Sequence, residues 1–189
     1  MYIKQWFSEL PFITKGLFFI YLITGIIATY WPSYDIDVYF RNSTSIYTRL
    51  ISYLYFGDIL SVSYWYELVL FVIYSKSLEY EYVNLNNQKK YFICLLFGIV
   101  MILFLSILKP LQTFLLSESF VFYIIYLYNN YKNPNGTTVF TPALFVDNRY
   151  MIVLLIFVNA VFRKFYWTEY FIGITAGYIF MKLEQAKII

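Results

Sequence analysis

Long uncharged stretches alternate with short charged ones along this chain, and their lengths decide what they are. Gly16 to Tyr34 runs nineteen positions without a charge, which at about 1.5 Å per helical residue crosses a hydrocarbon layer of about 30 Å. A removed leader is not expected, because much more apolar sequence follows and no small-residue cleavage site intervenes. Residues 32–58 are polar, with Asp35, Asp37, Arg41, Asn42 and Arg49, yet contain the apolar patch Ile51 to Phe56; the pattern predicts a loop with short interfacial helices. Ile59 to Ser75 is a second span, interrupted only by Glu67, and Lys76 to Lys90 a charged connection punctuated by Asn84, Asn86 and Asn87. Tyr91 to Leu108 is uncharged. Lys109-Pro110 then divides it from a fourth apolar stretch, Leu111 to Tyr128, which carries Glu118; Pro110 suits a first helical turn, where its missing donor costs nothing. Asn129 to Arg149 is a second large polar connection, with the turn signal Asn133-Pro134-Asn135-Gly136. Tyr150 to Phe162 and Tyr170 to Met181 are only 13 and 12 residues long, so they must recruit flanking residues or sit in a thin bilayer. The pattern therefore predicts an all-α polytopic membrane protein of six transmembrane helices, two of them short, in one unit covering 1–189.

Composition sharpens this reading. The chain is 61% hydrophobic and 13% charged, where a soluble domain carries about 25% charge. Nine Lys and Arg residues flank the spans on the side of the N terminus and five on the other, which predicts cytosolic termini. The 14 basic and 11 acidic residues include no basic run beyond Lys89-Lys90 and Arg163-Lys164, so nucleic acid has no footprint and the lipid bilayer is the natural partner. The absence of histidine removes Ser/His and Cys/His dyads and the commonest zinc ligand. Neither metal nor organic cofactor is expected. Cys94, the single cysteine, lies in an apolar run and reads as inert packing. The 22 Tyr and 20 Phe are what AT-rich codons favour and are discounted as a functional signal.

Polar residues inside the spans are the candidate chemistry. Glu67 falls near the middle of the second span, where an ionised group in lipid costs several kcal/mol, so it should face protein or water or be neutral. It either lines a hydrated groove or is tied to a neighbouring Tyr or backbone group for folding. Glu118, beside Ser117 and Ser119, is expected at interface depth. Asn159 is expected to hydrogen-bond between helices, and Glu169 with Trp167 to anchor at the interface. Gly173 and Gly177, four apart, make a smooth face on which another helix backbone can approach closely. Asn42-Ser43-Thr44 and Asn135-Gly136-Thr137 are glycosylation acceptors, of which only Asn42 would be lumenal in this topology.

Taken together, these features resemble the Derlin family, rhomboid-like pseudoproteases of the endoplasmic reticulum, from about Ser8 to Glu184. Tyr47-Thr48-Arg49-Leu50 stands where the family has a Trp-Arg motif in its first lumenal loop. Ser77-Leu78-Glu79 follows the second helix as the family's Leu-Glu does, Asn133-Pro134 follows Tyr126-Leu127-Tyr128, and Gly173 to Gly177 matches the sixth-helix GxxxG. Thr48 replaces the Trp, so only Arg49 carries over. An active rhomboid would need Gly-x-Ser-Gly in the fourth helix and a histidine in the sixth; here stand Ser117-Glu118-Ser119 and Tyr178, so that dyad is excluded. The resemblance implies a rhomboid-like fold and a non-catalytic part in endoplasmic-reticulum-associated degradation. The expected partners are misfolded protein substrates, a membrane ubiquitin ligase complex and an AAA ATPase unfoldase, the last engaged indirectly because the chain stops a few residues past its last helix. Retrotranslocation is expected to use a hydrated groove between the second and fifth spans, with Glu67 in its lining. A small transporter or channel using Glu67 and Glu118, or a membrane scaffold without translocation activity, are the competing readings.

Overall fold

The computed structural model describes residues 6–30, 45–84, 88–108, 116–131, 137–141, 144–162 and 167–186. Each long apolar stretch is helical, as expected where the backbone must satisfy its own hydrogen bonds. In chain order the elements are α1 (Phe12–Tyr30), α2 (Ile46–Ser52), α3 (Val62–Asn84), α4 (Gln88–Ile107), α5 (Leu116–Tyr131), a hairpin of β1 (Thr137–Thr141) and β2 (Leu144–Asp147), α6 (Asn148–Phe162) and α7 (Trp167–Gln185). Among the described residues, α1 and α4 are long and apolar enough by themselves to cross a membrane. The hairpin lies in the stretch read as a loop; Thr137 pairs with Asp147, and the register shifts between Val139 and Thr141. The run Thr-Thr-Val-Phe-Thr has the β-branched and aromatic content that suits a pleated surface.

Side chains sort inside out. Phe19, Ile23 and Ile27 of α1, and Phe92, Val100 and Phe104 of α4, are exposed, while Thr14, Ser52, Ser75, Glu79, Ser106, Ser117 and Ser119 are buried. An apolar exterior of this extent is a lipid-facing surface. The buried Tyr21, Phe71, Phe120 and Tyr123 fill the centre, with Tyr21 and Phe71 in T-shaped contact at 4.9 Å and Phe71 stacked near Phe120 at 6.4 Å.

The helix directions follow from pairs of contacts. Along α3 and α5, Phe71 meets Phe120 and Tyr74 meets Tyr128; along α5 and α7, Phe122 meets Tyr170 and Tyr131 meets Glu184. These three helices are parallel. α1 runs opposite to α3, with Thr14 at Glu79 and Tyr21 at Tyr64, and α4 opposite to α7, with Lys90 at Glu184 and Phe97 at Phe180. Both ends of the described chain therefore lie at one end of the bundle.

Several expected boundaries move. α7, read as a short span over Tyr170 to Met181, recruits its flanks and runs 19 residues from Trp167 to Gln185. α1 begins at Phe12 rather than Gly16, because Lys15 is accommodated with its Nζ 5.1 Å from the Phe7 ring centre. α3 continues through the supposed charged connection to Asn84, because Leu78, Glu79 and Tyr82 keep its buried stripe going. Leu78 and Glu79 thus lie within the helix rather than after it, and Glu67 becomes the sixth residue of 23, near one end rather than in the middle.

Candidate functional site

α5 is the helix the others surround, buried at Ser117, Ser119, Phe122, Tyr123 and Ile125 alike. On one side it meets α7 without intervening side chains. A Cβ added at Gly173 would stand 2.1 Å from the Ser119 carbonyl oxygen, and one at Gly177 2.7 Å from the Tyr126 ring. Gly173 thus lets main chain lie against main chain and Gly177 makes room for the Tyr126 ring, the close approach their spacing predicts. Tyr178, by contrast, is 52% exposed and turned outward, its ring centre 5.7 Å from the Lys182 Nζ. At Gly173 this seam is packed backbone, and Tyr178 lies outside it.

The N-terminal ends of α3, α5 and α7 bring three glutamates to one end of the bundle. Glu118 of α5 lies beside Glu169 and Tyr170 of α7. Glu169 is buried and only Trp167 is exposed, so the interfacial anchor there is the indole alone. Glu67 is 4% exposed and faces protein. Asn159 lies in α6, its side chain outside those described; Asn133, Pro134, Asn42 and Asn135 lie outside the described residues.

At that same end the first loop is bolted to the bundle. Arg49, 7% exposed, reaches from α2 to α4, where Nη1 donates to the Ser106 carbonyl at 2.7 Å and to its hydroxyl at 3.2 Å. Ser52 accepts from the Leu116 N–H at 3.3 Å, Ser117 donates to the Tyr55 carbonyl at 2.6 Å, and Tyr53 donates to Ile99 at 2.6 Å. The outer face of α2 carries exposed Ile46, Tyr47, Leu50 and Ile51, so Thr48 in place of a tryptophan leaves an apolar face intact. Thr48 itself is buried, its hydroxyl donating to Ser45 at 2.8 Å.

The opposite end is closed by two networks. Glu79 accepts from the Ile13 N–H at 3.0 Å, the Thr14 N–H at 2.8 Å and the Thr14 hydroxyl at 2.7 Å, so α3 caps the first turn of α1. Because Thr14 spends its one proton there, Ser75 donates to Thr14 and Tyr91 to Ser75, at 2.9 and 2.7 Å. Beside it Tyr82 donates to Tyr131 at 2.6 Å, Tyr131 donates to Glu184, and Lys90 pairs with Glu184 at 2.6 Å.

The reading from sequence passed over these tyrosines. Tyr53, Tyr64 and Tyr123 each donate to a main-chain carbonyl of another helix, at 2.6, 2.8 and 2.7 Å. Their signal was present as Tyr at buried helical spacing, and it was set aside as codon bias. Cys94 is buried beside the Tyr123 hydroxyl at 3.4 Å, as an inert thiol would be.

The Der1-like family model matches residues 10–187. The chain belongs to the Der1-like family. It covers every helix described above, confirming the resemblance drawn from Arg49, Leu78, Glu79 and the glycine pair. Der1-like proteins are a rhomboid-like pseudoprotease family of membrane proteins associated with endoplasmic-reticulum-associated degradation. No curated protein and no solved structure matches the chain.

Proposed function

We propose that this Der1-like chain is a non-catalytic component of endoplasmic-reticulum-associated degradation that assists misfolded proteins in crossing the membrane from lumen to cytosol. In this reading the six long helices are all transmembrane in a rhomboid-like arrangement, the 32–58 loop is lumenal and both termini are cytosolic. The observation that carries it is the Der1-like family match over residues 10–187 on a helical bundle whose outer face is apolar and whose polar side chains are buried.

In the proposal a hydrated groove in a locally thinned bilayer acts on the barrier itself, because each main-chain group in lipid without a partner costs several kcal/mol. The proposed route passes between α3 and α6, which share no more than marginal contact while α6 leans on α5 and the hairpin. Asn159 is the proposed polar lining; Glu67, expected there from the sequence, is buried against protein. A membrane ubiquitin ligase would receive the emerging substrate and an AAA ATPase would pull it, the latter indirectly. No cofactor takes part.

The test is a chase after translation block, following a misfolded lumenal reporter in cells with the intact chain, without it, and with Gly173→Leu at matched expression. Loss of the chain is expected to stabilise the reporter in the lumen at least several-fold, and Gly173→Leu to do the same. Unchanged decay in all three would overturn the proposal and leave the scaffold reading.

A further inference from the structure

A cleft of about 620 Å³ runs between the first halves of α1 and α4, lined by Phe12, Gly16, Ile20, Lys89, Phe92 and Ile93, with Glu79 at its inner wall. These are the two helices long and apolar enough by themselves to cross a membrane, so the cleft opens onto lipid. Gly16 makes its floor: a Cβ added there meets nothing within 4 Å. This glycine therefore serves no close helix approach, unlike Gly25, Gly98, Gly173 and Gly177. The charges are unequal. Both oxygens of Glu79 are occupied by the first turn of α1, Lys90 is paired with Glu184 and Lys76 with Glu9, whereas Lys89 has no ion pair among the described residues and is exposed at the rim.

We propose that this cleft is a binding site for one anionic phospholipid, an acyl chain lying along Gly16 and Ile20 against Phe92 and Ile93 and the headgroup phosphate on Lys89. Size favours a chain of methylenes over a partner helix. A helix about 10 Å across fills roughly 400 Å³ per 5.4 Å turn, so fewer than two turns would fit, whereas an extended acyl chain is narrow enough to lie the length of the cleft. Position favours a lipid as well. Lys89 is the second residue of α4, which puts its ammonium at headgroup depth directly above an apolar slot. The first-turn N–H groups of α4 add potential of the same sign, and basic pockets between spans select anionic heads in this way. The inference rests on the membrane-protein reading of the family but not on retrotranslocation.

The test is native mass spectrometry of the purified full chain, released from nanodiscs holding equal amounts of phosphatidic acid and phosphatidylcholine. The intact chain is expected to retain one phosphatidic acid, with at least fivefold preference over phosphatidylcholine, and millimolar inorganic phosphate is expected not to displace it. Gly16→Leu, whose Cβ meets nothing within 4 Å and whose bulk is added at the slot floor, should abolish retention. Lys89→Gln should leave a lipid bound but remove the preference for phosphatidic acid, and it tests the site even where Gly16→Leu fails to fold. Retention unchanged in Gly16→Leu of normal melting temperature, or equal retention of both lipids by the intact chain, would overturn the proposal. So would efficient cross-linking between two copies through a photoreactive residue at Phe92. None of these readouts involves substrate degradation, so failure here is distinct from failure of the proposed function.

Discussion

Glu79 shows how one side chain can serve two helices. Three donors of the first turn of α1 converge on its carboxylate, 65 or 66 residues away in sequence. Glu79→Ala leaves the Ile13 and Thr14 N–H groups buried without an acceptor, and is expected to cost about 3 kcal/mol in detergent unfolding; Glu79→Gln, which keeps one good acceptor, should cost about half. A smaller knot sits in the first loop, where the Thr29 hydroxyl donates to Asp58 at 2.6 Å and the Leu60 N–H at 2.9 Å. These bonds hold the Asp58 carboxyl below its ordinary range, the Thr29 bond contributing most. A depressed folded-state pKa stabilises above the unfolded value and is lost as pH falls through the folded one. Acidification below about pH 4 should therefore loosen the 58–61 turn, as read by hydrogen exchange, and Thr29→Val should flatten that dependence. At this scale the sequence was partly legible. Arg49 and Glu79 stood out through motif order, but nothing in an apolar run marks Thr14, Ser75 and Tyr91 as a relay, because partners from three helices meet only in the fold.

Among the helices, three glycines give a graded test of what small residues do. Gly173→Ala drives a methyl into the Ser119 carbonyl, a main-chain atom that cannot swing aside, whereas at Gly177 the obstacle is the Tyr126 ring. Gly173→Ala is expected to lower stability by about 3 kcal/mol or more and Gly177→Ala by about 1–2 kcal/mol. Gly16→Ala should instead raise it by about 0.5–1 kcal/mol, since the helix gains propensity and nothing is touched. Thermal melts of the three variants in one detergent give the ranking directly. Hydropathy found every long helix but misplaced ends. α3 passes its apolar limit at Ser75 and runs to Asn84, because a buried stripe of Leu78, Glu79 and Tyr82 continues beside half-buried Lys76 and exposed Glu81, which hydropathy averages together. The glycine pair was legible because close approach leaves few alternatives to glycine. The hairpin was not, since its β-forming run is short and lies between turn residues.

Across the described residues the chain is polar within and apolar without, with hydrogen-bond networks at both ends and α5 buried between them. The two networks act as plates: Arg49, Ser52 and Ser117 tie the loop end, and Glu79, Tyr91, Lys90 and Glu184 tie the other. Among the described residues they leave α6 as the loosely held element, leaning mainly on α5 and the hairpin. That asymmetry sets where a passing polypeptide should be found. The most direct measurement is site-specific photocross-linking during degradation of a misfolded lumenal reporter, with a photoreactive residue at exposed Val69 of α3, Val153 of α6 or Ile23 of α1. Reporter adducts are expected from Val69 and Val153 and none from Ile23. Adducts from Ile23 alone, or from all three equally, would contradict a route between α3 and α6.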